Sequence, residues 1–297
     1  MSTRNFHDLM ERKWSENKFV CVGLDSDLDK IPKSERVYVS GELRIADTIS
    51  NFNQRIIQTT SDVAGAYKPN PAFYDAHGVE GLDALHRTIK FANKVAPDVP
   101  VVLDGKRTDI GNTNLGYVKY AFDYLKADAL TVHPYLGAEA LKPFLEQTDK
   151  GIIVLCRTSN PGAGEFQDLH TLTYNPRNKP AGLSAEEWLQ VLCDDSMQLY
   201  ERVAFNVARI WNVRGNCHLV VGATYPAEAG NVRRIVGDVP FVIPGVGEQG
   251  GEVEATVLAT VDSHKWGMTF NSSRAIIFAP DPRAATIALN DAINRYR

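Results

Sequence analysis

Charged side chains cluster in one short segment of the sequence, and their types suit proton transfer and charge stabilisation. Asp104 and Lys106 lie two positions apart at the end of an apolar run, and Asp109 follows closely. Side chains two residues apart on a strand project to the same side, so Asp104 and Lys106 are expected to face one site. Lys68 and Asp25 end two other apolar runs. Each residue alone is as easily part of a structural ion pair, but the five together favour a catalytic cluster of opposite charges.

A second group of residues, nearer the carboxyl terminus, suits the binding of an anion. The segment Pro244–Gly251 contains four glycines, which let the backbone bend and expose N–H groups to an anion. Arg274 closes the segment Asn271–Arg274 after the next apolar run, and its guanidinium group is a planar set of donors that fits phosphate. A glycine-rich turn alone is weak support, but the neighbouring arginine makes a phosphate site the favoured interpretation.

Both groups stand at the ends of short apolar runs that are typical of buried parallel strands. Helical periodicity fills the intervals, as in Leu82–Val95, whose apolar positions form one stripe. Eight strands that alternate with helices predict a closed (β/α)₈ TIM barrel, with an open doubly wound sheet as the alternative. In such barrels the loops after the strands form the active site, and those after strands seven and eight bind phosphate. The predicted strands are Phe19–Asp25, Val63–Lys68, Val101–Lys106, Ala129–His133, Ile152–Arg157, His218–Thr224, Phe241–Pro244 and Met268–Asn271.

Further helices are predicted over Thr113–Leu125, Glu139–Leu145 and Ala284–Arg295. Ser184–Glu187 has the pattern of a capping box, and we expect it to open a long helix that runs towards Trp211. The segment Asn160–Leu183 is rich in Pro, Gly and Asn and is long for a connection after the fifth strand. Since no linker is evident, the sequence predicts a single barrel domain over residues 1–297 with a loop insertion at 160–183.

The composition indicates a folded chain and excludes several classes of partner. The chain has 297 residues, of which 44% are hydrophobic and 23% charged, and its formal net charge is −4. A slightly acidic chain has no general attraction for nucleic acid or anionic membranes, and no apolar run is long enough to cross a bilayer. The four cysteines are scattered and the N-terminus lacks an apolar segment. A cytoplasmic protein with reduced thiols is therefore expected, in preference to a disulfide framework or a zinc site.

The ordered motifs resemble those of the orotidine 5′-phosphate decarboxylase family. The run Asp104–Thr113 (DGKRTDIGNT) matches the D-x-K-x-x-D-I signature of that family. The resemblance covers nearly the whole barrel, and the chain length and the long segment Asn160–Leu183 are similar to the longer bacterial-type subgroup. The other matching segments, in the order of the family, are Val22–Asp25, Ala66–Asn70, Arg157–Pro161, Pro244–Gly251 and Ser273–Arg274.

The resemblance implies conversion of orotidine 5′-monophosphate to uridine 5′-monophosphate without a metal or an organic cofactor. It implies that Lys106 donates the proton and that Asp104 lies beside the substrate carboxylate. The implied substrate-binding residues are Asp25 and Lys68 for the ribose hydroxyls, Ser159 for the pyrimidine, and Gln249 and Arg274 for the phosphate.

The resemblance also implies a homodimer whose active sites are shared between the subunits. Asp109, with Ile110 and Thr113, would reach into the active site of the partner subunit. No such sharing follows from the composition or the spacing of the residues alone.

Three alternatives stay open at this point. Related barrel decarboxylases that act on sugar-acid phosphates share D-x-K-x-x-D but use a bound magnesium ion, and activity after chelation distinguishes them. A non-catalytic phosphate-ligand-binding barrel would need the pocket but not the full charge cluster. A purely structural barrel would leave the ordered motifs unexplained.

Overall fold

A parallel β-sheet is the central element of the molecule. The computed structural model describes residues 4–172, 182, 184–194, 196–246 and 251–297. Within those residues the main sheet has eight strands, and each of the eight predicted strands is present with ends shifted by at most three residues. Their apolar runs are buried on both faces, as strands between a barrel interior and a ring of helices must be. The strands are β1 (Val20–Gly23), β2 (Ala66–Lys68), β3 (Val102–Arg107), β4 (Ala129–Val132), β5 (Gly151–Arg157), β6 (Cys217–Val221), β7 (Phe241–Pro244) and β8 (Met268–Ser272).

The order of the strands identifies a barrel. Hydrogen-bonded neighbours follow the order β2-β1-β8-β7-β6-β5-β4-β3, and all pairs are parallel. The two end strands are joined by an isolated parallel bridge between Tyr67 and Val101, where the Tyr67 N–H donates to the Pro100 carbonyl at 2.9 Å. The sheet therefore curls into a nearly closed barrel. The predicted (β/α)₈ fold is confirmed, and the open doubly wound alternative is wrong.

Helices cover the outside of the barrel in the intervals that the periodicity predicted. In the helix over Gly78–Val95 the predicted stripe is largely buried, with Leu85, Ile89 and Ala92 in the core. The helices are α1 (Phe6–Ser15), α2 (Ile45–Thr60), α3 (Ala72–Asp75), α4 (Gly78–Val95), α5 (Gly111–Val118), α6 (Gly137–Leu145), α7 (Gly164–Gln167), α8 (Ala185–Asp194), α9 (Leu199–Asn206), α10 (Pro226–Val236), α11 (Val253–Thr260), α12 (Arg274–Ile277) and α13 (Pro282–Tyr296). Two π-helical segments, Lys119–Tyr124 and Val207–Trp211, extend α5 and α9.

The prediction of one long helix from Ser184 towards Trp211 is wrong. The capping box is present, since Ser184 N–H donates to Glu187 and Glu187 N–H donates to the Ser184 hydroxyl at 3.0 Å. However, α8 is followed by a short strand, Met197–Gln198, that pairs antiparallel with His170–Thr171. This pairing outside the barrel interrupts the helical pattern, and α9 then begins anew.

The described part of the insertion after β5 contains short helical and strand elements. A 3₁₀ turn over Pro161–Ala163 leads directly into α7, and the strand His170–Thr171 follows. The remainder of the predicted loop, at 173–181 and 183, lies outside the described residues. The described first half therefore folds back beside the carboxyl end of β5.

The amino-terminal mouth of the barrel is covered by α1. The rings of Phe6 and Trp14 lie 5.0 and 6.2 Å from the ring of His218, near the start of β6. Burial lowers the pKa of His218 to about 3, so this ring packs in its neutral form. With this mouth covered, the barrel is open at the carboxyl ends of the strands.

Two further expectations from the composition can be compared with the structure. No helix in the described part of the chain is long and apolar enough to cross a membrane. Cys21, Cys156 and Cys217 are buried and unpaired, whereas the Cys193 side chain lies outside the described residues. Burial raises the pKa of the Cys21 and Cys217 thiols to about 12, so both are protonated at neutral pH.

Candidate active site

A cavity of about 520 Å³ opens at the carboxyl ends of the barrel strands. Each of the eight strands, or the loop directly after it, contributes at least one side chain to its wall. Its volume is that of a small-molecule site, and its position is the one at which barrels of this kind carry their chemistry. Charged groups from β1, β2 and β3 line one side of the cavity, and the segments after β7 and β8 line the adjoining side, because β8 is the neighbour of β1.

Three of the five predicted charged residues form a tight cluster at one end of this cavity. The Asp104 carboxylate accepts from Lys68 Nζ at 2.8 Å on one oxygen and from Lys106 Nζ at 2.7 Å on the other. Thr131 Oγ1 donates to the same carboxylate at 2.9 Å. The side chains of Lys68 and Asp104 are only 6% and 12% exposed, whereas that of Lys106 is 47% exposed and faces the open cavity.

The charges of the buried pair support one another. Burial by itself raises the pKa of Asp104, but the ammonium groups of Lys68 and Lys106 outweigh it and hold this pKa well below its usual range. Burial likewise lowers the pKa of Lys68, and the carboxylates of Asp104 and Asp25 outweigh it, so the pKa lies above its usual value. Asp104 and Lys68 are therefore both ionised at neutral pH.

The backbone of β3 is irregular where it presents the cluster. Regular pairing with β4 breaks between Leu103 and Arg107, and Lys106 has a φ of 45°, in the left-handed region that side chains other than glycine rarely adopt. The Lys106 N–H donates at 2.9 Å to the hydroxyl of Thr131, the same group that donates to Asp104. Asp104 and Lys106 therefore converge as predicted, but through a bulged strand rather than through regular alternation.

Asp25 faces the cavity beside this cluster, as predicted from the end of the first apolar run. Its Oδ1 atom is buried and has no hydrogen-bond partner among the described residues. A buried carboxylate oxygen without a donor is costly, and a ligand hydroxyl group would satisfy it. The position of Asp25 is thus suited to a polyhydroxylated ligand.

The segment after β5 forms one wall of the cavity and includes the predicted Ser159. Thr158, Ser159 and Asn160 all line the cavity, as does Gln167 from the insertion. The Ser159 carbonyl accepts from Thr224 Oγ1 at 3.1 Å, so the segment is held by the neighbouring loop after β6. This wall lies between the charge cluster and the loops after β7 and β8.

The predicted anion-binding end is described in part. Arg274 lines the cavity at the amino terminus of α12, together with Ser272 and Ser273, and Gly245 with a φ of 96° lines it after β7. Gln249 lies outside the described residues. Arg274 after the eighth strand and Gly245 after the seventh therefore line the same cavity, whereas residues 247–250 of the predicted glycine-rich segment lie outside the described residues.

The last group of predicted residues does not reach the cavity of its own chain. Asp109 Oδ1 accepts from the Ile110 N–H at 2.6 Å, and the Asp109 N–H donates to Asn114 at 2.8 Å. Ile110 and Thr113 are exposed on the outer face of the loop and the first turn of α5. The roles of Asp109, Ile110 and Thr113 across a subunit interface stay predictions.

Sequence reasoning missed several polar residues of the site. Thr131 is the only polar residue within β4, and an inward-facing threonine in an apolar run was a signal that could have identified it. Asn271 was predicted only as the end of a strand and the start of the arginine segment, yet it lines the cavity with its Oδ1 buried and without a partner among the described residues. Gln167 lies within the insertion, and nothing in its spacing indicated contact with the cavity.

Comparisons with known proteins agree with this geometry. The profile of the orotidine 5′-phosphate decarboxylase / HUMPS family matches residues 18–289. The orotidine 5′-phosphate decarboxylase of Azoarcus sp. (strain BH72) is 40% identical over an alignment of 301 positions, which covers 99% of this chain and 100% of that protein. The structure of Leishmania donovani OMP decarboxylase is similar with a TM-score of 0.78 and 34% identity, over 98% of each chain. Leishmania donovani UMP synthase is similar with a TM-score of 0.81 and 37% identity over 99% of this chain, which spans 57% of that longer chain.

Proposed function

Because this chain belongs to the orotidine 5′-phosphate decarboxylase family, we propose that it converts orotidine 5′-monophosphate to uridine 5′-monophosphate and CO₂ in pyrimidine biosynthesis. The observation that carries this proposal is the Asp104 carboxylate held between Lys68 and Lys106 in the mouth of the barrel. An exposed ammonium group beside a buried, neutralised ion pair is suited to a reaction that develops negative charge and then takes up a proton.

Lys106 carries the chemical step. Loss of CO₂ from C6 of the pyrimidine leaves an electron pair at that carbon with no adjacent carbonyl or imine to delocalise it. The Lys106 ammonium group stabilises this developing charge and then transfers its proton to C6, which yields the product. Since the lysine is fixed by Asp104 and by the bulge in β3 before the substrate arrives, its charge needs little reorganisation during the reaction.

Asp104 acts on the substrate carboxylate. Two like charges about 4 Å apart repel by about 4 kcal/mol at an effective dielectric constant of about 20. This repulsion disappears when the carboxylate leaves as neutral CO₂, so it assists the reaction if the rest of the substrate is held firmly. We assign the larger effect to stabilisation of the carbanion by Lys106.

The other end of the substrate supplies the binding free energy. Arg274, with Gln249, binds the phosphate at the loops after β7 and β8. Asp25 and Lys68 bind the ribose hydroxyls, in agreement with the buried Oδ1 of Asp25, which has no hydrogen-bond partner in the described part of the chain. Ser159 donates to the pyrimidine from the wall after β5. Binding at these groups, away from C6, holds the substrate carboxylate against Asp104.

We also infer that the enzyme is a homodimer with shared active sites. The face around Asp109 supports this inference, because Ile110, Leu115 and Tyr135 are exposed apolar residues on neighbouring segments. Ile110 precedes α5, Leu115 lies on α5 and Tyr135 precedes α6, and these two helices pack against each other, so the exposed apolar residues belong to neighbouring elements. In the dimer, Asp109, Ile110 and Thr113 enter the cavity of the partner subunit.

Mixed dimers test the sharing of active sites. Lys106→Ala and Asp109→Ala chains are each expected to be inactive as homodimers. After subunit exchange, a mixed dimer has one site with both native residues, so partial activity is expected to return. An exchanged mixture, verified by mass, that remains inactive argues against donation of Asp109 across the interface.

The magnesium-dependent alternative differs at Asp104. The ammonium groups of Lys68 and Lys106 already lie 2.8 and 2.7 Å from that carboxylate, so their positive charge disfavours a metal cation at the same place. We therefore propose that the reaction needs no metal and, as the resemblance to the family implies, no organic cofactor. We further propose a cytoplasmic location, which suits the buried, unpaired cysteines.

One experiment tests the proposed function and its alternatives together. Purified protein treated with a chelator is given orotidine 5′-monophosphate, and the CO₂ released is measured. Turnover that survives chelation is expected. Turnover that appears only when magnesium is restored would favour the metal-dependent alternative, and tight nucleotide binding without CO₂ release would favour a binding protein.

A further inference from the structure

The insertion after β5 contacts the cavity wall through a buried arginine. Arg157, at the end of β5, is 1% exposed, and its guanidinium group forms an ion pair with Asp168 of the insertion at 3.1 Å. The guanidinium also lies 3.9 Å from the ring centre of Tyr225, in the loop after β6, and donates to the Thr158 carbonyl at 3.1 Å. A buried cation with a carboxylate and an aromatic face holds these three segments in one arrangement.

Gln167 adds a second, more local attachment. Its side-chain carbonyl accepts from the Thr158 N–H at 2.9 Å, and its side-chain amide donates to the Thr158 hydroxyl, also at 2.9 Å. The same hydroxyl donates to Asn160 Oδ1 at 2.7 Å. Both polar ends of Gln167 are therefore used on one residue of the cavity wall, which fixes the backbone and the side chain of Thr158 together.

The opposite side of the segment 158–160 packs closely against Gly222. A Cβ atom added to Gly222 would lie 2.7 Å from both the N and the Cα atom of Ser159, so the backbone of the wall closely approaches the residue directly after β6 and leaves no room for a side chain there. Thr224 binds the Ser159 carbonyl from the same side. The wall is thus held between the barrel on one side and Gln167 on the other.

We propose that Gln167 and Asp168 are positioning residues, through which the insertion holds the segment 158–160 in the geometry that recognises the pyrimidine base. This inference rests on the proposed function, in which Ser159 binds the base. It gives the described half of the insertion a role in substrate recognition. Gln167 acts through Thr158, and Asp168 acts through Arg157, so neither needs to touch the substrate.

Two ligands separate this role from a general effect on the site. Uridine 5′-monophosphate has the base, and ribose 5-phosphate has the same sugar and phosphate without it. Gln167→Ala removes both bonds to Thr158, and we expect it to weaken binding of uridine 5′-monophosphate about 10- to 30-fold, as the loss of two hydrogen bonds implies. Binding of ribose 5-phosphate is expected to change less than about twofold, because the phosphate and ribose groups contact other walls.

Steady-state kinetics give a second readout. Since Gln167 does not contact Lys106 or Asp104, Gln167→Ala is expected to raise the KM for orotidine 5′-monophosphate about tenfold while kcat falls less than about threefold. Asp168→Asn weakens the ion pair with Arg157, and it is also expected to weaken binding of uridine 5′-monophosphate more than binding of ribose 5-phosphate. Glu165→Ala is the matched control, because Glu165 is exposed on α7 and lies outside the cavity wall.

The outcomes distinguish this inference from the proposed function. If the wild-type protein turns over orotidine 5′-monophosphate but Gln167→Ala weakens binding of uridine 5′-monophosphate and of ribose 5-phosphate equally, the positioning role is wrong and the enzyme assignment stands. Unchanged binding of uridine 5′-monophosphate in Gln167→Ala and Asp168→Asn also overturns it. If the wild type itself neither binds uridine 5′-monophosphate nor releases CO₂, the proposed function fails first.

Discussion

Replacement of Lys106 by alanine removes one charge from the cluster and leaves the rest of the site in place. Asp104 retains Lys68 at 2.8 Å and Thr131 at 2.9 Å, so its carboxylate stays ionised and fixed. An ammonium group about 3 Å from a carbanion contributes about 5.5 kcal/mol at an effective dielectric constant of about 20. That free energy corresponds to about 10⁴ in rate, and the loss of the proton donor removes a further factor of about 10² or more.

We therefore expect kcat of Lys106→Ala to fall at least about 10⁴-fold, measured by CO₂ release under saturating substrate. Binding of uridine 5′-monophosphate, which has no carboxylate at C6, is expected to stay within about tenfold of the wild-type value. Lys90→Ala, at an exposed position of α4, is the control for loss of a lysine and should be unchanged. A kcat for Lys106→Ala within tenfold of the wild type would refute the assignment of both charge stabilisation and proton donation to this residue.

Three other substitutions test the supports of the site. Thr131→Val removes the hydroxyl that donates to Asp104 and accepts from the Lys106 N–H. The free energy of unfolding in urea should therefore fall by about 1–3 kcal/mol, whereas that of Thr131→Ser should stay near the wild-type value. The pKa of Asp104 is lowered in the folded state, so its ionised form stabilises the fold above about pH 4 and this contribution is lost as the pH falls further. The difference in unfolding free energy between the wild type and Asp104→Asn should be constant near neutral pH and become smaller in acid. A difference that becomes larger as the pH falls would contradict this reasoning. Gly222→Ala places a Cβ 2.7 Å from Ser159 and should weaken nucleotide binding at least about tenfold, while Gly230→Ala, whose Cβ meets nothing within 4 Å, should not.

The fold was predictable because its elements depend on local patterns. Most barrel strands are apolar runs of a few residues, which is the pattern of parallel strands buried on both faces. The failure at Ser184 to Trp211 has a different origin. The pairing of Met197–Gln198 with His170–Thr171 joins two segments that are distant in sequence, and a helical period cannot reveal such a contact.

The site residues at the ends of strands could be predicted from the sequence. Those that reach the site through contacts between distant segments could not. Lys68, Asp104 and Lys106 were placed together because parallel strands of a barrel end at one rim. Gln167 enters the wall through hydrogen bonds to Thr158, which follow from the path of the insertion and from no periodicity. The bulge that gives Lys106 its φ of 45° was equally hidden, since a run of Val, Leu, Asp and Gly reads as regular strand.

The arrangement of charges explains why one carboxylate is held by two lysines. Lys68 is buried against Asp104 and balances its charge, so the pair can stay in the barrel at low cost. Lys106 is then the ammonium group of this cluster that is open to a ligand, because its side chain is exposed and lines the cavity. In the proposed reaction this ammonium group first offsets the substrate carboxylate and, after CO₂ leaves, the electron pair at C6. Because the same ammonium group meets both negative charges in turn, the site needs no movement of a charged side chain during the step.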